Sequence, residues 1–346
     1  MKEFGYTSVA DTEAALAALR EQPGTRLLAG GTEMLNWLKE GIERPERLVD
    51  ITALPLRDVE PLPGGGLRLG ALARMSEVAA HPEVVRGHPA LAESLLLAAS
   101  PQLRNMATLG GNLQQRTRCP YFRAETGDLP CNKRTPGSGC AALSSGETEE
   151  QALFGWTGEC AATHPSDLAV ALAALDADVL AEGPRGPRRI PAAAFHLTPE
   201  QAPPERHSAL ASDELITAVE VPGPAPLSHY VKVRQRASYE FALVSAAAVV
   251  EVEDGTLATA RIALGGVAHR PWRLTAAEEA LRGADPEDGD AVYAALAQDF
   301  AAARPLPGGS NAYKAELARR TAVRAVRDAA RRHGAASGTT PEGSDQ

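Results

Sequence analysis

The chain has 346 residues, 44% of them hydrophobic and 23% charged, enough for two or three domains that each bury a core. Its formal charge of -9 and isoelectric point near 5.5 argue against nucleic acid as a partner, because phosphate contacts need a clustered positive field. No stretch approaches the ~20 apolar residues of a membrane span, and the start MKEFGYTSVADTEAALAALREQPG lacks the basic-then-apolar order of an export signal. These features predict no membrane insertion and a cytoplasmic chain.

In chain order, Thr25 to Ala29 reads as a short strand, Thr32 to Ile42 as a helix and Arg47 to Ile51 as a second strand, one βαβ unit. The glycines of PLPGGGLRLGALA bend the chain before a strand at Leu67 and Leu69, and an apolar helix follows, ending near Ser100-Pro101. Between Arg116 and Cys160 periodicity disappears and all four cysteines are interleaved with Gly, Pro, Ser and Thr. So long an irregular stretch needs a constraint other than its own core, such as a bound metal centre. Ser166 to Leu175 then reads as a helix, Ala177 to Pro191 as a hairpin turning at GPRGP, and Glu214 to Val221 as a strand. After the linker-like PGPAP come strands from Tyr230, with Asp254-Gly255 as a hairpin turn, and helices from Thr275. A last helix, Asn311 to His333, carries many arginines, for which a solvated face is the simple reading and a docking surface the other.

Two glycine pairs carry the chemistry. In Arg26-Leu27-Leu28-Ala29-Gly30-Gly31-Thr32-Glu33-Met34 a strand runs into bare backbone and then a helix, with Thr32 as expected N-cap. Such a turn leaves room and free N–H groups for a pyrophosphate. It is not the G-x-G-x-x-G of a doubly wound dinucleotide fold and no P-loop lysine follows, so nicotinamide binding and nucleotide hydrolysis lose support. Ala107-Thr108-Leu109-Gly110-Gly111-Asn112 offers a hydroxyl, bare backbone and an amide in a second turn. Taken alone, each is as readily an ordinary turn, with Asn112 in a left-handed conformation; two in one chain shift the balance toward one shared diphosphate. Cys119, Cys131, Cys140 and Cys160 stand as C-x11-C-x8-C-x19-C, too loose for a zinc finger or ribbon. Four thiolates in a loop suit a 4Fe–4S cluster; structural zinc and free thiols remain alternatives. Arg116, Arg118, Lys133 and Arg134 would offset the cluster's negative charge. The histidines lack ligand spacing and read as surface or capping residues, with only His164, four residues after Cys160, worth watching. No hydrolase arrangement is present.

RLLAGGTEM, SPQLRNMATLGGNL, THPSDLAVAL and YVKVRQRASYEFALVSAA together resemble the FAD-binding subunit of the xanthine dehydrogenase and carbon monoxide dehydrogenase family of molybdenum hydroxylases. The resemblance runs from about residue 3 to about residue 330. It implies an α+β chain: a two-subdomain FAD-binding domain of the vanillyl-alcohol-oxidase kind, then a C-terminal three-stranded sheet with helices. The expected boundaries are 1–55, 56–224 with a cysteine-rich insertion at 114–162, 225–333, and a disordered tail at 334–346. By matched motif, Arg26 to Met34 would wrap the pyrophosphate and adjoining ribose, and Thr108, Gly111 and Asn112 would hold the diphosphate side. Asp167 would bind the ribityl chain, Leu215 would pack near the flavin ring and Lys232 would sit close to the isoalloxazine. On the residues alone, Asp167 reads as a helix-capping residue and Lys232 as an exposed strand residue. The run QRTRCPYFR to PCNKRTPGSGC resembles the subgroup of periplasmic aldehyde oxidoreductases and 4-hydroxybenzoyl-CoA reductases, whose flavin subunit carries a 4Fe–4S cluster, and the wording is closer to the former.

The implied function is electron transfer. Electrons from a substrate oxidised at the molybdenum cofactor of a large subunit would pass through 2Fe–2S centres of a small subunit to FAD here and on to an external acceptor. Other branches of the family, a stand-alone flavin oxidase and a zinc-holding assembly protein are the competing readings. Co-export with a signal-bearing partner would make the complex periplasmic.

Overall fold

The computed structural model describes residues 2–124, 128–144 and 149–337. The N-terminal unit alternates β1 (Gly5–Ser8), α1 (Thr12–Glu21), β2 (Thr25–Leu28), α2 (Met34–Lys39) and β3 (Arg47–Asp50) into a parallel sheet of order β1-β3-β2. The expected βαβ unit is thus preceded by a strand and a helix that the sequence reading passed over. The extra helix α1 starts where the Asp11 side chain accepts from Ala14 N–H at 2.7 Å, and it buries Ala15, Leu16 and Ala18 against the sheet.

The second unit continues with β4 (Val59–Pro61) and β5 (Leu67–Gly70). Where one apolar helix was expected there are α3 (Met75–Ala80), α4 (Pro82–Gly87), α5 (Pro89–Leu97) and α6 (Pro101–Arg104). Pro82, Pro89 and Pro101 each open a new helix, since proline suits a first helical turn and forbids the interior. Then come α7 (Leu109–Leu113), α8 (Pro120–Arg123), α9 (Ala141–Ser144), α10 (Asp167–Ala174), β6 (Asp178–Gly183), β7 (Gly186–Pro191), α11 (Ala192–Phe195) and β8 (Leu215–Val221). The strands form one antiparallel sheet of order β4-β5-β8-β6-β7. The helix α10 is buried along its whole length, because it packs on α5 and α11 of its own unit and on two strands of the next.

The third unit comprises β9 (Ser228–Val233), β10 (Val244–Glu253), β11 (Thr256–Gly265), β12 (Trp272–Arg273), α12 (Thr275–Ala280), α13 (Gly289–Ala295), α14 (Ala297–Phe300) and α15 (Tyr313–Ser337). Asp254 and Gly255, with φ of +50° and +80°, make the tight turn of the β10–β11 hairpin. A two-residue fourth strand, β12, joins the expected three at one edge. Helix α15 buries Ala318, Ala322, Ala325 and Ala329 and packs on β10 and β9. It runs to Ser337, past the expected start of the tail at 334; the remainder of that tail, 338–346, lies outside the described residues. Several of its arginines are paired, Arg320 with Glu316, Arg324 with Asp328 and Arg331 with Glu287. These pairs fit the solvated-face reading.

The chain leaving the cysteine stretch is anchored in the third unit. Leu153 and Phe154 N–H groups donate to the Val267 carbonyl at 2.8 and 3.1 Å, and both side chains belong to the third unit's core. The fully buried Phe154 ring stacks on Trp272 at 4.9 Å and meets Phe300 edge-on at 5.5 Å. The buried Lys314 ammonium donates to the carbonyls of Glu150, Gln151 and Gly266. Phe154→Ala should therefore destabilise the protein by ~3–5 kcal/mol, read as a shift in the chemical denaturation midpoint. A change under ~1 kcal/mol would contradict the anchoring.

Candidate functional site

A cavity of about 1080 Å³ opens between the first and second units. One wall is the β2–α2 turn: Arg26, Leu27, Ala29, Gly30, Gly31, Thr32, Glu33 and Met34. Thr108, Gly110, Gly111 and Asn112 form another, with Asp167 and Leu215 further round. Of the residues expected around a cofactor, Leu28 and Lys232 alone do not line it.

The two glycine turns touch. A Cβ built on Gly30 would lie 1.9 Å from the Met106 carbonyl oxygen, so only glycine lets the first turn settle on the second. Gly31 has φ +72°, and the backbone N–H groups of Gly30, Gly31, Thr32 and Glu33 have no acceptor among the described residues. Successive free N–H groups around a left-handed glycine make an anion-binding concavity. Thr32 is not the expected N-cap, because the helix begins later, at Met34, and no side chain caps it.

The second turn differs from expectation. It is the one-turn helix α7, capped by Thr108, whose hydroxyl accepts from Gly111 N–H at 3.2 Å. The N–H groups of Leu109 and Gly110 donate to the carbonyls of Ala73 and Ala71 at 3.1 and 2.9 Å. Its amides are therefore spent on the fold, and Asn112 is helical, not left-handed. A Cβ on Gly110 would sit 3.2 Å from Ala71, so this glycine serves close packing. Asn112 accepts from the Ser166 hydroxyl at 2.6 Å, which ties α7 to the start of α10.

Asp167 opens α10 after the N-cap Ser166 and is buried. Its carboxylate accepts from Tyr230 Oη and pairs with Lys232 Nζ at 2.8 Å. Burial and that neighbouring carboxylate push the Tyr230 hydroxyl well above its ordinary pKa. Lys232 is not the exposed strand residue of the simple reading; its side chain is 1% exposed and also donates to the Leu97 carbonyl. It reaches the cavity only through Asp167.

The cavity also takes residues that sequence reasoning assigned elsewhere or missed: Trp37, Glu43, Gln115, Arg116, Arg118, His207, Tyr239 and Phe241 among them. Arg116 and Arg118 were expected to face the cysteines, but they pair with Glu43 and Glu33. Arg134 donates to the carbonyls of Ala124 and Glu40. Of the four basic residues, Lys133 is the one whose charge favours the Cys131 and Cys160 thiolates.

None of the four cysteines is disulfide-bonded; Cys131 and Cys160 are buried, Cys119 and Cys140 half-buried. Cys131 and Cys140 face each other in an antiparallel bridge. Burial pushes the Cys119 thiol up to about 12 and Cys160 up to about 11, with the other cysteines adding to both. Opposing this, the N–H groups of Phe122 and Tyr121 point at Cys119, those of Lys133 and Arg134 at Cys131, and that of Ala162 at Cys160. Among the described residues no three Cys, His, Asp or Glu side chains stand close enough to hold a metal ion. The expected ligand set is thus gathered in one region but not in ligating geometry.

Residues 2–224 match the family model described as FAD binding domain in molybdopterin dehydrogenase, and residues 229–329 match that of the CO dehydrogenase flavoprotein C-terminal domain. The chain is 47% identical over 331 residues to the aldehyde oxidoreductase FAD-binding subunit PaoB of Escherichia coli K12, covering 95% of this chain and 99% of that protein. It is 27% identical over 324 residues to the carbon monoxide dehydrogenase medium chain of Hydrogenophaga pseudoflava, covering 92% of this chain and 93% of that one. Among solved structures, the carbon monoxide dehydrogenase from the same organism that lacks the Mo-pyranopterin moiety of its molybdenum cofactor gives a TM-score of 0.72 at 26% identity, over 96% of this chain and 98% of that one.

The histidines depart most from the sequence reading. His164 and His196 stack with ring centroids 3.7 Å apart, His196 Nε2 donates to the Leu113 carbonyl at 2.8 Å, and Ala268 next to His269 accepts from His164 N–H. Burial lowers His164, His207 and His269 well below the usual histidine range and His196 to about 4, with the nearby charge of Lys133 adding to the effect on the first three and Arg116 on His207. With folded pKa values below the unfolded one, stability is complete above about pH 7. It is lost as pH falls from about 6.5 toward 4, because the unfolded chain takes up protons first, at up to ~1.4 kcal/mol per pH unit for each histidine. Denaturation midpoints should fall in turn from pH 7 to 6 to 5; a flat profile over that range would contradict the buried neutral cluster.

Proposed function

The chain belongs to the FAD-binding subunits of the molybdopterin dehydrogenases, and from that premise we propose that it holds FAD in the cavity between its first two units and serves an aldehyde-oxidising molybdenum hydroxylase. It is an FAD-dependent oxidoreductase subunit of α+β fold. The observation that carries the proposed site is the contact of Gly30 with Met106, which sets the four unpaired amides of residues 30–33 beside Thr108. Bound FAD supplies redox chemistry that takes up single electrons and releases pairs.

In this reading Arg26 to Met34 take the pyrophosphate and ribose, with the amides of Gly30 to Glu33 as donors. Thr108, Gly111 and Asn112 close the diphosphate from the second turn by shape and side chain. Asp167 accepts from the ribityl hydroxyls, and Leu215 packs against the ring. Lys232 acts by holding Asp167 in place, and Leu28 by supporting the strand behind the turn. No residue of the chain acts on the organic substrate. The relatives are subunits of larger enzymes, which supports a small 2Fe–2S subunit and a large molybdenum-cofactor subunit as partners, with an external acceptor. The aldehyde assignment rests on the likeness to PaoB. The cytoplasm is the proposed site of assembly, with periplasmic export on a partner's signal the alternative.

A 4Fe–4S cluster on Cys119, Cys131, Cys140 and Cys160 is the second part of the proposal. What favours it is the N–H groups turned toward three of the sulfurs, an arrangement that stabilises thiolates and cluster sulfur alike.

Gly31→Val places a β-branched residue at φ +72°, a strain of ~1–2 kcal/mol or more that turns the amides away. It should weaken FAD binding at least about tenfold, measured by fluorescence titration of deflavinated protein; wild-type affinity would contradict the phosphate-turn role. The isolated protein should carry about four irons per chain, bleaching with dithionite, and Cys131→Ser should lose them. Full iron content in that variant would remove the four-cysteine assignment.

A further inference from the structure

The stretch that opens the cysteine insertion sends three guanidinium groups into the first unit. Arg123 donates to Glu33 and to Glu40, the latter at 2.9 Å; Arg118 donates to Glu33 at 2.8 Å; Arg116 pairs with Glu43, which also accepts from Arg26 at 3.0 Å. Arg118 lies 4.6 Å over the Phe241 ring and Arg116 4.9 Å over Trp37. The most enclosed pair is Arg123 and Glu33, each with a side chain 13% exposed. Trp37 Nε1 completes the set with a 2.9 Å bond to Glu33.

Glu33 is the last residue of the turn whose amides are free, and it lines the cavity. Its position is electrostatically wrong for a diphosphate: an unpaired carboxylate there would repel the ligand and cost more for being half-sealed from water. Two guanidinium groups reverse the sign. They also hold both carboxylate oxygens, Oε1 from Arg123 and Trp37 and Oε2 from Arg118, which fixes the backbone of the turn. Both arginines belong to the insertion and flank Cys119.

We propose that Arg118 and Arg123 are positioning residues for the flavin site, neutralising and orienting Glu33 so that the cysteine insertion forms the back wall of the diphosphate turn. This rests on the FAD reading and adds to it a dependence of cofactor affinity on a segment that does not bind the cofactor through its cysteines.

The test is a mutant cycle on deflavinated full-length protein, reading the dissociation constants of FAD and of ADP by fluorescence and calorimetric titration. Arg123→Gln and Arg118→Gln should each weaken FAD roughly ten- to a hundredfold, with ADP weakened by a similar factor and the circular dichroism spectrum unchanged. Glu33→Gln alone should change affinity less. Added to Arg123→Gln, it should restore part of the lost affinity, which a purely structural role of Arg123 would not produce; Arg123→Lys should also recover part. Unchanged affinity in the arginine variants, or a double variant no better than Arg123→Gln, overturns the proposal. Wild-type protein that binds neither FAD nor ADP instead overturns the FAD reading on which it rests.

Discussion

The contact between the bare Cα of Gly30 and the carbonyl of Met106 is the constraint on which the rest of the site depends. Two units must close until backbone meets backbone, and a single methyl group at residue 30 would hold them apart. The division of labour between the turns follows from it. One turn leaves its N–H groups without an acceptor among the described residues, and the other spends its own on Ala71 and Ala73, so that it is rigid enough to be pressed against. A concavity with donors on both sides would be less well fixed, since unpaired amides leave the backbone that carries them unsupported.

Behind that contact the cysteine insertion is held by charge and by a borrowed core. Arginines at its entry meet Glu33, Glu40 and Glu43, and at its exit Leu153 and Phe154 pack into the third unit while Lys314 gathers three carbonyls. Buried pairs of this kind are strong when complete and costly when broken, so each end behaves as a clamp. Within the insertion, backbone amides turn toward the sulfurs of Cys119 and Cys131 and oppose the effect of burial on those thiols.

Local pattern determined a good part of this protein. The Asp254-Gly255 hairpin, the strand at Thr25, the buried helix after Ser166 and the glycine pairs were legible because backbone conformation is set by neighbours in sequence: a left-handed residue calls for glycine, and an apolar run bounded by caps forms a helix. The paired motifs likewise marked two walls of the cavity, Arg26 to Met34 apart from Leu28, and Thr108, Gly111 and Asn112. Tertiary structure decided which polar groups meet. Arg118 and Glu33 are 85 residues apart, Asp167 and Lys232 65, and His164 touches His196 through a fold that no periodicity announces. Isolated arginines and histidines look solvent-bound in sequence because water is their default partner; only the packed chain removes the water and makes another side chain take its place.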